Sequence, residues 1–420
     1  MSENKKSAKG NLALGQKIAV INSIYQPYTR GGAEVVAGNI VSGLKNQGHD
    51  VFVISLGYEN KLNYIDEVKS CQIKPFNFFN FLDINFQPVW LRFLWHPLDM
   101  FNGVQTWRVY RILHKEKPDL ILTHNLKGLG YLLPWLIRMM KIKHIHSIHD
   151  MQLIHPSGLL KEDEKINFLV AIYSWLNKRL FNKVEYVIFP SKYIKSIYDR
   201  YNFFSQANKL VLGNPVIIHP LPRGGRGGVA ESIGQPPLAT LCKEGDFQII
   251  FLGQVEEYKG IFDLIEAVKK IKSNFTLHIV GDGSALARAK DETKDDARFK
   301  FHGRLSHSEL KEKIWPNIDL LINPTKVAES FGLVIVEAWV YRVPSLASNI
   351  GAIPELIDDG QTGWLFESGD IDDLSSKIKI ISDNICGFQA IGLLGREKAK
   401  EFNIDNYLNR LEEFAKIKPI

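Results

Sequence analysis

The sequence predicts an α/β protein of two Rossmann-like βαβ domains facing across a cleft, with a C-terminal helix returning to the first domain. Three observations carry that expectation. The chain has 420 residues, more than one hydrophobic core usually serves. Short apolar runs alternate with stretches of helical spacing, the pattern of parallel sheets covered on both faces. The rhythm that opens at Lys17 is repeated, in unlike residues, from Phe247.

Lys17 to Asn22 reads as a buried strand, Gly31-Gly32 breaks the chain, Ala33 to Asn46 is helical and Val51 to Ser55 is the next strand. Leu120 to Thr123, His144 to Ile148 and Val184 to Phe189 continue the alternation. The second half repeats the unit: Phe247 to Gly253 is a strand, Lys259-Gly260 ends a loop, Ile261 to Ile271 is helical and Thr276 to Val280 is a strand, with further strands at Leu320 to Ile322 and Pro344 to Ala347. Lys398 to Phe414 has the spacing of an amphipathic helix. Between Pro220 and Gly245 the chain turns rich in Gly and Pro, which does not support regular structure. The expected divisions are a polar tail (1–16), an N-terminal domain (17–215), a linker or flexible loop (216–246), a second domain (247–397) and a crossover helix (398–420). Ligands of open α/β sheets collect at the carboxyl ends of the strands, so the cleft is the expected site.

The formal charge of +6 suits anionic partners such as nucleotide diphosphates or acidic lipid head groups. Nucleic acid is not expected, because no basic recognition helix, zinc-finger spacing or aromatic RNA-binding signature accompanies the charge. Cys71, Cys242 and Cys386 are scattered and odd in number, so neither a disulfide framework nor a cysteine metal site is expected, and a reducing cytoplasm is the natural compartment. Residues 1–16 lack an apolar core, and the longest apolar stretch, Tyr131 to Met140, contains Pro134 and Arg138. Neither a signal peptide nor a membrane-spanning helix is expected.

The strongest local signal is Asn323-Pro-Thr-Lys-Val-Ala-Glu329-Ser330-Phe331-Gly332-Leu333-Val-Ile-Val-Glu337-Ala338, a strand, a loop and a helix. The free N–H groups at the start of that helix favour a phosphate or sugar oxygen. A carboxylate placed as Glu329 is also suits a plain helix cap. The Glu-x7-Glu pair, the sequel Val343-Pro-Ser through Gly351-Ala-Ile-Pro-Glu355-Leu-Ile, and Asp359-Gly-Gln-Thr-Gly363 together resemble the family-four retaining glycosyltransferases of the GT-B fold, and the resemblance runs from Lys17 to about Phe414.

The resemblance implies that the first domain faces the acceptor and the second holds a nucleotide-diphosphate sugar. Glu329 and the amides of Phe331 and Gly332 would contact the donor sugar, Ser330 and Leu333 would belong to the same donor-binding stretch, and Glu337 would accept from the nucleotide ribose, a role an ionised carboxylate suits. An Arg and a Lys in the loop after the first strand of that domain would stabilise the leaving diphosphate. Here the loop reads Gly253-Gln254-Val-Glu-Glu-Tyr-Lys259-Gly260: the lysine is present, but Gln254 stands where an arginine is usual. Losing a cation about 4 Å from a phosphate forfeits up to roughly 4 kcal/mol at an effective dielectric of about 20. Lys326 or Arg30 would compensate, each having a solvated surface position as its plain alternative.

The Arg30-Gly31-Gly32-Ala33-Glu34 stretch also resembles the family, whose glycines let the backbone approach the diphosphate, and His149 matches the histidine that reaches the donor sugar. Three histidines at 144, 146 and 149 invite a zinc reading. Strand alternation places the first two on one face and gives His149 no fixed partner, so no metal is expected. Gly281-Asp-Gly-Ser284 resembles a dinucleotide fingerprint except that Leu286 replaces the third glycine; the family places this loop, and His302-Gly303-Arg304-Leu305, near the nucleotide. The aromatic run from Phe76 to Trp107, with Phe78, Phe79, Phe81, Phe86, Trp90, Phe93, Trp95 and Phe101, is expected as core. Its alternatives are an acceptor channel or a peripheral contact with the inner face of a membrane.

The implied activity is retaining transfer to a hydroxyl of a glycan or lipid-linked acceptor in cell-surface polysaccharide biosynthesis, with no cofactor beyond the nucleotide-sugar co-substrate. Subfamilies similar at Leu94-Trp-His-Pro-Leu98 and Thr123-His-Asn-Leu126 act on such acceptors. An epimerase of the same fold is one alternative; a non-catalytic sugar-nucleotide-binding subunit, which Gln254 keeps open, is another.

Overall fold

The computed structural model describes residues 15–159, 167–219 and 246–416, which divide into two units. One takes the described chain to Pro215 and resumes at Ile404; the other spans Val216–Asn403. The stretch read from the sequence as a linker falls, from 220 to 245, outside the described residues, as do Cys242 and the polar tail to residue 14.

The first unit opens on β1 (Lys17–Ile21), an apolar run buried after its leading lysine. There follow α1 (Gly32–Asn46), β2 (Asp50–Leu56), β3 (Lys61–Ile65), β4 (Val68–Ile73), α2 (Val89–Met100), α3 (Gly103–Glu116), β5 (Leu120–Thr123), α4 (Leu133–Met139), β6 (Lys143–Ser147), α5 (Phe168–Phe181), β7 (Tyr186–Phe189), α6 (Lys192–Arg200) and β8 (Asn208–Val211). The sheet runs β3-β4-β2-β1-β5-β6-β7-β8, parallel except where β3 meets β4. That antiparallel pair departs from the all-parallel expectation. Asp66 and Glu67, both at positive φ, form the two-residue turn whose twist suits a hairpin.

The second unit contains β9 (Phe247–Leu252), α7 (Ile261–Lys269), β10 (Phe275–Val280), α8 (Leu286–Glu292), β11 (Phe299–Gly303), the short α9 (His307–Glu309), β12 (Leu320–Asn323), α10 (Leu333–Val340), β13 (Ser345–Ser348), α11 (Ile353–Leu356), β14 (Trp364–Phe366), α12 (Ile371–Asp383) and α13 (Ile385–Ala399). Its sheet, β11-β10-β9-β12-β13-β14, is parallel throughout. Alternate strand residues serve opposite faces: Ile249 and Phe251 lie in one buried cluster, Ile250 in the other. This is the period of two that a sheet covered on both sides requires.

The C-terminal segment is not one helix from Lys398. α13 ends at Ala399, a 3₁₀ turn covers Lys400–Phe402, and α14 (Ile404–Lys416) belongs to the first unit. There it packs on α1 so closely that a Cβ on Gly43 would lie 2.5 Å from Ile404 Cγ1.

In each sheet the strand order reverses at one place, between β1 and β5 in the first unit and between β9 and β12 in the second. At such a switch point the loops leaving the two strands diverge and open a crevice at their carboxyl ends.

Candidate active site

In the second unit the loops leaving β9 and β12 carry Lys259 and Glu329, and their side chains meet. Lys259 Nζ donates to Glu329 Oε1 at 2.5 Å, with about a quarter of each side chain exposed. Burial acts to lower the lysine pKa, but the Glu329 charge and hydrogen bond outweigh it and leave it raised, so the ammonium persists at any physiological pH.

Two close approaches hold this pair. A Cβ on Gly260 would fall 1.8 Å from Pro324 O, and one on Gly351 would fall 2.6 Å from Glu329 N. Ala352 N donates to Glu329 O at 3.0 Å, and Lys326 N to Tyr258 O at 2.9 Å. The segments flagged in the sequence around Gly351 and Gly260 are thus the supports of Glu329 and Lys259.

Glu329 does not cap the helix. The N-cap of α10 is Gly332, at φ +97°, which has no side chain to accept from the first turn. Glu329 lies three residues before that cap, so a plain N-cap role does not describe it, and the start of the helix beside it points its N–H groups toward the same loop. Phe331 is buried against Phe402, so at that position only the backbone is left to face a ligand. Ser330 and Leu333 flank it, both half-buried. Glu337 lies one turn into α10, half-buried, and burial pushes its carboxyl up to about 7.

The remaining positions in this unit fall on neighbouring loops. Gln254 Oε1 accepts from Tyr258 Oη at 2.7 Å. A Cβ on Gly281 would lie 1.7 Å from Gly253 O, and Gly253 N donates to Val280 O at 3.0 Å. Gly281 is thus required by loop-on-loop packing whatever it does for a ligand. Arg304 is exposed just beyond β11. Lys326 pairs with Asp263 Oδ1 of α7 at 3.1 Å, so the charge expected to replace the missing arginine is already matched by a carboxylate.

In the first unit the corresponding loops leave β1 and β5. Gly31 is the N-cap of α1, and Glu34 Oε2 accepts from Gly31 N at 2.6 Å and from Arg30 N at 3.3 Å. The backbone donors expected to meet a diphosphate at Gly31 are taken by an internal carboxylate, whose pKa burial raises against those bonds; Gly32 is the first helical residue. Arg30 donates to Leu82 O and stands 5.1 Å from the Phe81 ring centre. It is thus tied within its own unit rather than solvated.

His149 has the fixed partner that the sequence did not reveal. Its Nε2 lies 2.8 Å from His124 Nδ1 with the rings stacked at 5.1 Å. Burial lowers the His149 pKa to about 4 and that of His124 well below the usual value, so the pair is neutral at pH 7 and one ring N–H bonds the other ring. The outer nitrogens, His149 Nδ1 and His124 Nε2, are buried without a partner among the described residues. His144 and His146 share a face, as strand alternation requires, and both reach Thr123 Oγ1, at 2.7 and 2.8 Å. Among the described residues, no group of three or more His, Cys, Asp or Glu gathers as metal ligands would.

Residues 30–216 match the family model described as Glycosyltransferase Family 4, and residues 239–385 match Glycosyl transferases group 1. The chain belongs to the family-four glycosyltransferases of the GT-B fold. This glycosyltransferase is 25% identical over 345 residues to an uncharacterized 42.6 kDa protein in the cps region of Klebsiella pneumoniae, covering 81% of this chain and 87% of that one. Sucrose-phosphate synthase from Thermosynechococcus elongatus shares its fold at a TM-score of 0.72 and 17% identity, over 95% of this chain and 98% of the other. HepE of Anabaena, solved with UDP and glucose, does so at 0.70 and 18% identity, over 96% and 100%.

Two residues of the glycosyltransferase escaped the sequence reading. In the sequence His124 is one residue of Thr123-His-Asn-Leu126 with nothing to single it out, and its pairing with His149 joins positions 25 apart. Asn323 closes β12 at the switch point with its Nδ2 buried and unpaired among the described residues. Its signal was its place between the apolar run Leu320–Ile322 and the Pro324-Thr325 that breaks the strand.

Proposed function

We propose that this glycosyltransferase moves a sugar, with retention of anomeric configuration, from a nucleotide-diphosphate sugar to a hydroxyl of a glycan or lipid-linked acceptor in cell-surface polysaccharide biosynthesis on the cytoplasmic side. The observation that carries the reading is the Lys259–Glu329 pair at the β9/β12 switch point. One cation is held ready for phosphate oxygens and one carboxylate for sugar hydroxyls, and each keeps the other oriented. The amides of Phe331, Gly332 and Leu333 add backbone donors at the helix start, and Glu337 accepts from the ribose hydroxyls. The bond from the anomeric carbon to the diphosphate oxygen breaks and the acceptor oxygen bonds that carbon on the same face. The acceptor proton passes to the departing phosphate oxygen, so the protein supplies position and charge, not a nucleophile. No step uses a metal ion. The neutral His149 supplies a hydrogen bond to a sugar hydroxyl.

HepE, with its bound UDP, supports a nucleotide donor. The acceptor class is supported by the similarity of Leu94–Leu98 and Thr123–Leu126 to polysaccharide-acting subfamilies. Thermal stabilisation by UDP-, GDP- and ADP-sugars identifies the donor, since a ligand at about 100 times its Kd contributes about 2.7 kcal/mol. Radiolabelled product analysis with and without acceptor then tests the reaction. Lys259→Ala is expected to lower kcat about 100- to 1,000-fold, the usual cost of one charge-stabilising donor; unchanged transfer would sink the leaving-group assignment. A protein that binds donor yet neither transfers nor hydrolyses it would establish the non-catalytic reading that Gln254 keeps open.

A further inference from the structure

The aromatic run expected as core is divided by the fold, and its exposed half carries an inference that does not depend on the transfer reaction. Trp95 is fully buried, stacked between Phe79 and Phe81. Trp90, Leu94, Leu98 and Phe101 are exposed, Trp90 by 66%. Their spacing of four, four and three puts them on one side of α2, and Val104 and Trp107 extend the exposed apolar series along α3. The side chains of Phe86 and Phe93 lie outside the described residues.

α4 packs against both α3 and α5, and His96 of α2 meets Tyr173 of α5 edge to face at 6.1 Å. These neighbours expose the same kind of surface. α4 presents Trp135 and Met139, while α5 presents Phe168 (78% exposed), Leu169, Ile172 and Trp175. Scattered exposed apolar residues are ordinary, but stripes on four adjoining helices form a patch of the kind that marks an interaction surface.

The charges around the patch have one sign. The four helices contain Arg92, Arg108, Arg111, Lys115, Arg138, Lys178 and Arg179, against two acids. Asp99 is buried, and Glu116 is held by Lys17 and Lys69 at 2.8 and 2.7 Å. Arg111 and Arg179 stand over the exposed rings of Trp107 and Trp175, at 5.0 and 4.8 Å. Beyond Trp175, a recess of about 270 Å³ is lined by Lys178, Arg179 and Lys183, none of which has an ion-pair partner among the described residues.

We propose that the α2–α5 face of the first unit seats this enzyme on an anionic lipid bilayer, its Trp and Leu side chains entering the interface and the basic recess taking a lipid phosphate. Exposed tryptophans backed by arginine are the composition of an interfacial surface, which needs both apolar area and attraction to anionic head groups. No described helix is long and apolar enough to cross a membrane. A second copy of the chain fits less well, because a two-fold pairing of this face would set its basic rim against itself.

The test is sedimentation of the full chain with phosphatidylcholine vesicles, with and without 30% phosphatidylglycerol, alongside quenching of tryptophan emission by brominated acyl chains. No nucleotide or acceptor is present, so the outcome is independent of the transferase reading. Binding is expected to anionic vesicles, at least tenfold above neutral ones and weakened by salt, with quenched emission. The exposed-face variant Trp90→Glu/Leu94→Glu/Phe101→Glu is expected to lose at least tenfold in partitioning at an unchanged Tm. Lys178→Gln/Arg179→Gln/Lys183→Gln is expected to reduce the preference for anionic lipid at least threefold. Absence of binding, or equal binding to neutral vesicles, overturns the proposal. So does a dimer in sedimentation velocity that the triple Glu variant abolishes, which would assign the face to self-association.

Discussion

Glu337 joins a buried-carboxyl cost in stability to the ribose contact proposed for it. Burial raises its carboxyl to about 7 from an ordinary 4.5, so below pH 4.5 it is neutral in both the folded and unfolded states and has no effect. Between 4.5 and 7 the unfolded chain ionises while the folded one does not, and stability falls as pH rises. Above 7 the full cost, on the order of 3 kcal/mol, is present. Glu337→Gln is therefore expected to raise Tm by several degrees at pH 8 and by much less at pH 5. If ribose hydroxyls donate to this carboxylate, binding favours its ionised form, and the KM for donor is expected to fall as pH rises through 7. The Gln variant flattens that dependence and binds donor more weakly. His149, with a pKa near 4, contributes nothing to a limb at pH 7, so a limb that survives Glu337→Gln would remove Glu337 from the donor site. The places of Lys259, Glu329 and Glu337, on the loops after β9 and β12 and on α10, were legible in the sequence because each lies in a local motif next to a recognisable strand or helix. The His124–His149 pair was not, since it depends on how β5 and β6 align. Trp90 and Trp95 were no more separable, being alike in type and five positions apart, yet one is exposed and the other fully buried.

At the scale of elements, the site depends on two loops pressed against glycines. Gly351 stands at φ +63° with Glu329 backbone atoms where a Cβ would go; Gly360 stands at φ +76° with open space around it. Ala at either position meets the same backbone strain, about 1 kcal/mol. Only Gly351→Ala must also move the segment that carries Glu329. Gly351→Ala is expected to cost kcat about 100-fold, as a displacement near 1 Å does, while Gly360→Ala loses comparable backbone stability with kcat unchanged. Paired kinetics and thermal melts decide it, and equal kcat in the two variants would show that Glu329 tolerates displacement. The strands that hold these loops could be read directly because β9, β10 and β12 are short, largely apolar runs. The β3–β4 hairpin could not: the alternation of Lys61–Tyr64 lasts only four residues and is largely exposed, and Val68–Ile73 carries Lys, Ser and Gln among its apolar residues, a signal too short and too mixed to announce a strand. The C-terminal helix was misjudged for a related reason, since amphipathic spacing continues across the 3₁₀ turn at Lys400–Phe402 and conceals the break.

At the scale of the molecule, chain order and folded unit do not coincide. Lys259, Glu329 and Glu337 belong to the Val216–Asn403 unit, which has its own six-stranded sheet and two apolar clusters. The first unit closes only with α14, which contributes the buried Tyr407, Leu408 and Leu411 from the far end of the chain. Removing residues 404–420 is therefore expected to expose the α1 face around Gly43 and to melt the first unit at a lower temperature. Losing three large buried side chains at about 2–5 kcal/mol each rivals the whole stability of a domain. The second unit should be spared. Expressed alone, Val216–Asn403 is expected to fold and to keep a donor-dependent rise in Tm, which Lys259→Ala diminishes. A fragment that folds but shows no such rise with any UDP-, GDP- or ADP-sugar would mean that the paired lysine and glutamate do not suffice to hold a donor.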